Sequence, residues 1–313
     1  MSRALVFPGQ GSQSVGMGKA LSDAFLEARE VFQEVDSALN QNLSKIMFEG
    51  SEEDLKLTEN AQPALMAASM AVIRVLEKQG GFKLPEAASF VAGHSLGEYA
   101  ALCAAKSLTL ADTARLLRKR GQAMQQAVPV GVGGMAALIG VDMQAASDIA
   151  AEAAQGEVCV AANDNAPGQV VISGHMAAID RAIEIAAQRG FKRSVKLPVS
   201  APFHSPLMQP AADVMREALA AVEISMPVVP VVANVTASAI SEPSMIRDSL
   251  VQQVTGSVKW RESVIYMKNQ GVSNLVECGS GAVLAGLTRR IDKEIAAVSL
   301  SKPEDIEAFL KEI

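Results

Sequence analysis

The feature that most constrains this chain is the run Val91-Ala92-Gly93-His94-Ser95-Leu96-Gly97-Glu98. Residues 89–92 read as a short buried strand, and from Leu96 onward the alanine-rich sequence reads as a helix. Between them, Gly93-x-Ser95-x-Gly97 matches the strand–turn–helix pattern that exposes a serine on a sharp, strained turn. The flanking glycines have no Cβ to collide with the neighbouring strand and helix. The helix that follows points its N–H groups and positive dipole end at any anion that forms on the serine. The same glycines would also make a tight turn with no chemistry attached, so the serine counts as a nucleophile only if a base and oxyanion donors can be found for it.

Bulk properties narrow the possibilities. A chain of 313 residues, 49% hydrophobic, is long enough for a large core and about two domains. Its net charge is −6, and the absence of a basic run argues against nucleic acid or a membrane surface as partner. The apolar run before Pro8 is too short for a secretory signal, and no stretch approaches the ~18–20 apolar residues of a membrane span. Three widely spaced cysteines, Cys103, Cys159 and Cys278, suit reduced core residues of a cytoplasmic protein rather than a disulfide framework. No Cys/His spacing suggests a metal, and the glycine loop at 8–14 matches neither nucleotide-binding pattern, so no metal or cofactor is expected.

Read in order, the chain alternates strands and helices. Residues 4–7 form a strand, 20–40 a helix, 60–78 a long helix capped by Asn60, and 109–127 a further helix. The segment 131–198 has its own rhythm: strand 135–139, helix 143–154, strand 157–162, turn 163–168, strand 169–173, helix 176–189 and strand 192–197. That β-α-β-β-α-β order is the ferredoxin-like split pattern. After it come a proline-rich loop, helix 207–222, strand 228–232, helices 243–254 and 259–269, strand 272–277, a helix beyond Gly281, strand 295–300 and a last helix to Ile313. The expected fold is therefore α/β. A large α/β-hydrolase-like domain with a parallel sheet and nucleophile elbow covers 1–130 and 199–313, and a small ferredoxin-like domain, 131–198, is inserted into it to form one wall of a cleft.

Three histidines compete to be the base for Ser95. His94 adjoins the serine, and neighbours across an elbow point apart. His175 opens a helix of the small domain, where a capping or surface role is commoner. Elimination favours His204, in a loop of the large domain. No Asp or Glu stands in a clear loop position to complete a triad, and a backbone carbonyl can hold the imidazole instead. One oxyanion donor should be the N–H of Leu96, and the glycine-flanked loop at Gly9-Gln10-Gly11 is a candidate for the second. Arg120 lies on the apolar stripe of its helix with Leu117, Gly121 and Met124. A buried guanidinium needs a partner, and spacing alone leaves two: a structural carboxylate or the carboxylate of a substrate.

The segments Phe7-Pro-Gly-Gln-Gly-Ser-Gln13, Gly93-His-Ser-Leu-Gly-Glu-Tyr99, Arg120-Gly121, Pro202-Phe-His204-Ser, and Gln253 with Trp260 together resemble the malonyl-CoA:acyl carrier protein transacylase family, in order and across nearly the whole chain. The resemblance implies Ser95 as nucleophile, His204 as base, Arg120 as the clamp on the malonyl carboxylate, and the backbone N–H groups of Gln10 and Leu96 as oxyanion hole. It also implies that the main-chain carbonyl of Gln253 orients the histidine, and that Leu96 and Phe203 follow the malonyl-selective pattern. The implied partners are malonyl-CoA and phosphopantetheinylated acyl carrier protein, in fatty acid biosynthesis. The basic clusters available to dock an acidic carrier are Lys192, Arg193 and Lys196 or Arg289, Arg290 and Lys293, and the other reading of both is a merely solvated surface. A serine esterase or thioesterase would share the elbow without needing Arg120, and a polyketide acyltransferase would share the whole set.

Overall fold

The structure, a computed structural model, describes residues 2–199 and 201–312. In chain order, β1 (Ser2–Phe7) is followed by α1 (Lys19–Ala24), α2 (Leu26–Leu39), α3 (Leu43–Glu49), α4 (Glu52–Lys56), α5 (Thr58–Gln79) and α6 (Leu84–Ala87). Next come β2 (Phe90–Gly93), α7 (Gly97–Ala104) and α8 (Leu110–Gln126). The middle of the chain forms β3 (Gly133–Ile139), α9 (Met143–Ala154), β4 (Cys159–Ala166), β5 (Gln169–His175), α10 (Met176–Gln188) and β6 (Val195–Lys196). A 3₁₀ turn at Pro206–Met208 leads into α11 (Gln209–Ala220), β7 (Val231–Ala233), β8 (Ser238–Ile240), α12 (Pro243–Thr255) and α13 (Trp260–Asn269). The chain ends with β9 (Val272–Cys278), α14 (Val283–Ile291), β10 (Ala296–Leu300) and α15 (Pro303–Leu310).

Two sheets result. The first is six-stranded, in the order β10-β9-β1-β2-β7-β8. It is parallel except for β8, which returns antiparallel to β7. Its central strands β1, β2 and β7 are buried on both faces, which is why β1 is apolar without alternation. Leu5 and Phe7 join the core on one face, and Ala4 and Val6 the core on the other. On the Leu5 side lies α5, buried along almost its whole length and packed between α2 and α8. The second sheet is four-stranded and antiparallel, in the order β4-β5-β3-β6. With α9 and α10 it encloses a separate core that includes Leu138, Ile149, Ile172 and Ile179.

Several expected boundaries move, each for a visible reason. The single helix over 20–40 is two, because Phe25 turns extended (φ −129°, ψ 127°) and packs at the edge of the core. Asn60 is not a cap. The helix starts at Thr58, and the Asn60 side chain instead donates to the Asp54 carbonyl at 2.8 Å and accepts from Arg118 at 2.9 Å. The turn expected over 163–168 is strand as far as Ala166. Its polar residues are satisfied from outside the small sheet: the Asp164 N–H donates to the Val258 carbonyl at 2.9 Å, and its carboxylate pairs with Arg261 at 2.7 Å. The strand over 192–197 shrinks to two residues on β3, and the one expected over 228–232 shifts to Val231–Ala233. Ile313, expected in the last helix, lies outside the described residues.

Candidate active site

The elbow is built as its glycines require. A Cβ on Gly93 would stand 2.0 Å from the Gly97 carbonyl carbon, and one on Gly97 would stand 2.2 Å from the Phe7 carbonyl oxygen. β2 therefore turns into α7 against β1 only because both positions lack a side chain. Ser95 takes the strain, with φ +52° in the left-handed region that non-glycine residues seldom occupy. α7 begins at Gly97, one residue later than the sequence pattern implied, and Leu96 precedes it as the N-cap.

The serine hydroxyl meets two groups. His204 Nε2 lies 2.8 Å from Ser95 Oγ, and Arg120 Nη2 donates to the same oxygen at 3.1 Å. His204 Nδ1 lies 2.9 Å from the main-chain carbonyl oxygen of Gln253. A carbonyl only accepts, so Nδ1 carries the proton and Nε2 turns its lone pair towards the serine. Burial first, and then the Arg120 cation, push the imidazole down to about 3, so it is neutral and able to take a proton. The other histidines sit elsewhere in the hydrogen bonding. His175 Nδ1 accepts from the Val158 N–H at 2.9 Å, a local tie within the small sheet. His94 forms no hydrogen bond to the serine among the described residues, yet it lines the cleft, where its Nε2 lies 2.8 Å from Asn165 Oδ1.

Arg120 is 1% exposed, and among the described residues it forms no salt bridge. Its partners are neutral: Gln62 Oε1 at 2.9 Å, Gln253 Oε1 at 2.9 Å and the serine hydroxyl. Its Nε has no acceptor, and its charge stands over the Tyr99 ring, 5.7 Å from the centroid. The structural-carboxylate alternative left open by the spacing therefore finds no counterpart among the described residues. Gly121 lets this helix approach α5, since a Cβ there would lie 2.6 Å from the Glu59 Cα.

These groups open into a cleft of about 390 Å³. Its lining includes Gln10, Arg120, Phe203 and His204, together with Met135, Asn163, Asn165 and Val171 from the segment of the second sheet. Gly9 brings the first loop onto the elbow so closely that a Cβ would stand 2.9 Å from the His94 carbonyl oxygen. Among the described residues, neither the Gln10 N–H nor the Leu96 N–H donates a hydrogen bond within the protein.

Sequence reasoning missed three buried polar side chains that hold this site: Gln62, Glu98 and Asn234, each 1% exposed. Each is a polar residue interrupting an apolar run, which was the available signal. Asn234 Oδ1 accepts from the Ser95 N–H at 2.7 Å, and its Nδ2 donates to the Gly93 carbonyl at 2.7 Å.

Comparison with known proteins gives a consistent result. The model of a family described as acyl transferase domain matches residues 4–300. The chain is 45% identical to a malonyl CoA-acyl carrier protein transacylase of Escherichia coli, over 98% of each sequence. It resembles the crystal structure of an acyl-carrier-protein S-malonyltransferase from Bartonella henselae, with a TM-score of 0.97 and 56% identity, covering 100% of this chain and 99% of that one. It also resembles a malonyl-transacylase solved in complex with its holo type II polyketide acyl carrier protein, with a TM-score of 0.96 and 40% identity over 100% of both chains. Among the described residues, no helix is long and apolar enough to cross a membrane.

Proposed function

The chain belongs to the acyl transferase family, and from that premise we propose how its cleft performs the family's chemistry. The protein is an acyl-carrier-protein S-malonyltransferase. It moves the malonyl group of malonyl-CoA to the phosphopantetheine thiol of acyl carrier protein, supplying extender units for fatty acid biosynthesis. Polyketide assembly is the second reading of the pathway, favoured by the likeness to the carrier-protein complex.

In our reading Ser95 is the nucleophile. As Oγ attacks the thioester carbonyl, its proton passes to His204 Nε2, and the Gln253 carbonyl holds the imidazolium that forms. The N–H groups of Leu96 and Gln10 receive the oxyanion. Collapse of the tetrahedral intermediate breaks the carbon–sulfur bond, and the coenzyme A thiolate takes the proton from Nε2. The carrier-protein thiol then gives its proton to Nε2 and attacks the malonyl ester. Ser95 leaves and recovers the proton. Arg120 grips the free carboxylate of the malonyl group through two parallel hydrogen bonds, and Phe203 beside the base narrows the cleft around that group.

We read residues 1–130 and 199–313 as an α/β-hydrolase-like domain and 131–198 as an inserted ferredoxin-like domain. The parallel order of the first sheet supports the former, and the β-α-β-β-α-β order, antiparallel pairing and separate core of the second support the latter. Cys103, Cys159 and Cys278, all free and buried, accord with a reducing compartment, and we place the enzyme in the cytoplasm.

The observation that carries this reading is the relay from the Gln253 carbonyl through His204 to Ser95, with an arginine that has no carboxylate partner beside it. Mass spectrometry after mixing with malonyl-CoA should find a malonyl adduct on Ser95 that persists until carrier protein is added. Prompt release as free malonate would point to a thioesterase, and no adduct would remove Ser95 from the chemistry.

A further inference from the structure

A carboxylate sits in the core directly behind the site. Glu98 is 1% exposed, in the first turn of α7. Burying a carboxyl group is costly, and here burial pushes it up to about 7. The positive end of α7 offsets part of that cost. Among the described residues Glu98 forms no salt bridge. Instead, one oxygen, Oε2, accepts from the Asn234 main-chain N–H at 3.0 Å and from Gln253 Nε2 at 2.8 Å.

Each of those partners leads to the chemistry. β2 and β7 pair at Val91 with Val231 and at Ala92 with Val232. Beyond that point the backbone turns at the elbow, and the Asn234 side chain takes over from the ladder. Its amide accepts from Ser95 N–H and donates to Gly93 C=O, one bond on each arm of the turn. It thereby spans the residue held at φ +52°. Gln253 leads to the other half. An arginine has only donors, so Gln253 Oε1 must face Arg120, and its NH₂ must face Glu98 and the Ser95 carbonyl. With that amide fixed, the guanidinium is drawn to the serine.

We propose that Glu98 is a positioning residue for both halves of the acyl-transfer site, setting the nucleophile through Asn234 and the carboxylate clamp through the Gln253 side chain. The proposal rests on Ser95 being the nucleophile and Arg120 the clamp. It assigns Gln253 two separate tasks, with its main-chain carbonyl serving the base and its side chain serving the arginine.

Two readouts separate this from a merely structural role: the rate at which a fluorophosphonate labels the serine, and the ratio of kcat/KM for malonyl-CoA to that for acetyl-CoA. Displacing a catalytic group by about 1 Å costs on the order of 10²-fold, so Glu98→Leu should slow labelling by about that factor and lower the malonyl-to-acetyl ratio. Asn234→Ala should reproduce the first loss, and Gln253→Met, which keeps the main-chain carbonyl, the second. Glu98→Gln retains an acceptor oxygen and should recover most of both. The proposal is overturned if Asn234→Ala labels at the native rate and Gln253→Met keeps the native ratio, whether or not Glu98→Leu folds. It is equally overturned if Glu98→Leu folds with both readouts native. Ser95→Ala should not label at all. If it does, the assignment of the nucleophile has failed, and that failure is read independently of Glu98.

Discussion

Replacing Arg120 by alanine should convert a malonyl transferase into one that no longer favours malonyl. The guanidinium is buried, with three neutral hydrogen-bond partners and no carboxylate in ion-pair contact. A substrate carboxylate reaching it would form a desolvated charge pair, and truncating one member of such a pair costs about 2–5 kcal/mol. At about 1.36 kcal/mol per tenfold, kcat/KM for malonyl-CoA should fall by roughly 30- to 5,000-fold. Acetyl-CoA has no carboxylate and should change little by comparison. The melting temperature is a poor discriminator, because two effects oppose each other. The variant loses hydrogen bonds contributing about 0.5–1.5 kcal/mol each, but it also sheds a buried charge that has no carboxylate in direct contact. Arg120→Lys keeps the charge and loses the planar fork, so it should fall between the two. The assay is kcat/KM for both thioesters with carrier protein as acceptor. Parallel losses for malonyl-CoA and acetyl-CoA would refute the clamp and leave Arg120 a scaffold residue.

His204→Ala should slow formation of the acyl-enzyme by about 10²–10⁴-fold, while His175→Ala, which loses only a tie to the Val158 N–H, should acylate normally; the reverse pattern in a quenched-flow assay would move the base. Burial holds His204 neutral down to about pH 3, so kcat/KM for malonyl-CoA should show no histidine break near 6.5, and such a break persisting in Glu98→Gln would contradict the assignment. Because its folded value is depressed, its contribution to stability is present above about pH 6.5 and is lost as pH falls towards 3; melting temperature should drop across that window, less steeply in His204→Ala. Lys192 and Arg193 are exposed next to the cleft-lining Leu197, Pro198 and Val199, whereas Arg289 and Arg290 are tied to the Ala297 and Pro167 carbonyls. Charge reversal at 192 and 193 should therefore raise KM for the carrier protein without slowing malonyl loading, and an unchanged KM would remove that patch.

The elements legible in the sequence are those whose physics is local. Gly93 and Gly97 announce the elbow because no other residue fits there, and helix Met143–Ala154 follows from an Asp142 cap and an apolar stripe. His204, the proposed base, could be singled out because only three histidines compete. What stayed hidden depends on partners distant in sequence. Asp164 looks like a turn residue until the Val258 carbonyl takes its N–H and Arg261 pairs with its carboxylate. Glu98 looks like a helix-start acid until Asn234 and Gln253, some 136 and 155 positions away, are folded onto it. A polar residue inside an apolar run signals that a partner exists, but not which one.

The charges of the site also bear on where selectivity arises. In the proposed mechanism, when Ser95 gives up its proton an imidazolium forms close to the Arg120 guanidinium, and the only negative charge created by the reaction is the oxyanion. The histidine is backed by a neutral carbonyl rather than a carboxylate, so nothing on that side compensates a second cation. Arg120 already depresses the imidazole in this structure, second only to burial. A malonyl carboxylate on Arg120 cancels that effect, leaving the imidazolium and the oxyanion to balance each other. An acetyl thioester leaves the guanidinium without a directly paired carboxylate and also leaves it hydrogen-bonded to Ser95 Oγ, where it draws on the lone pair needed for attack. The carboxylate thus contributes to the chemical step as well as to binding. If Arg120 is the clamp proposed above, its discrimination should show in kcat as much as in KM, as expected where an interaction strengthens on the way to the transition state.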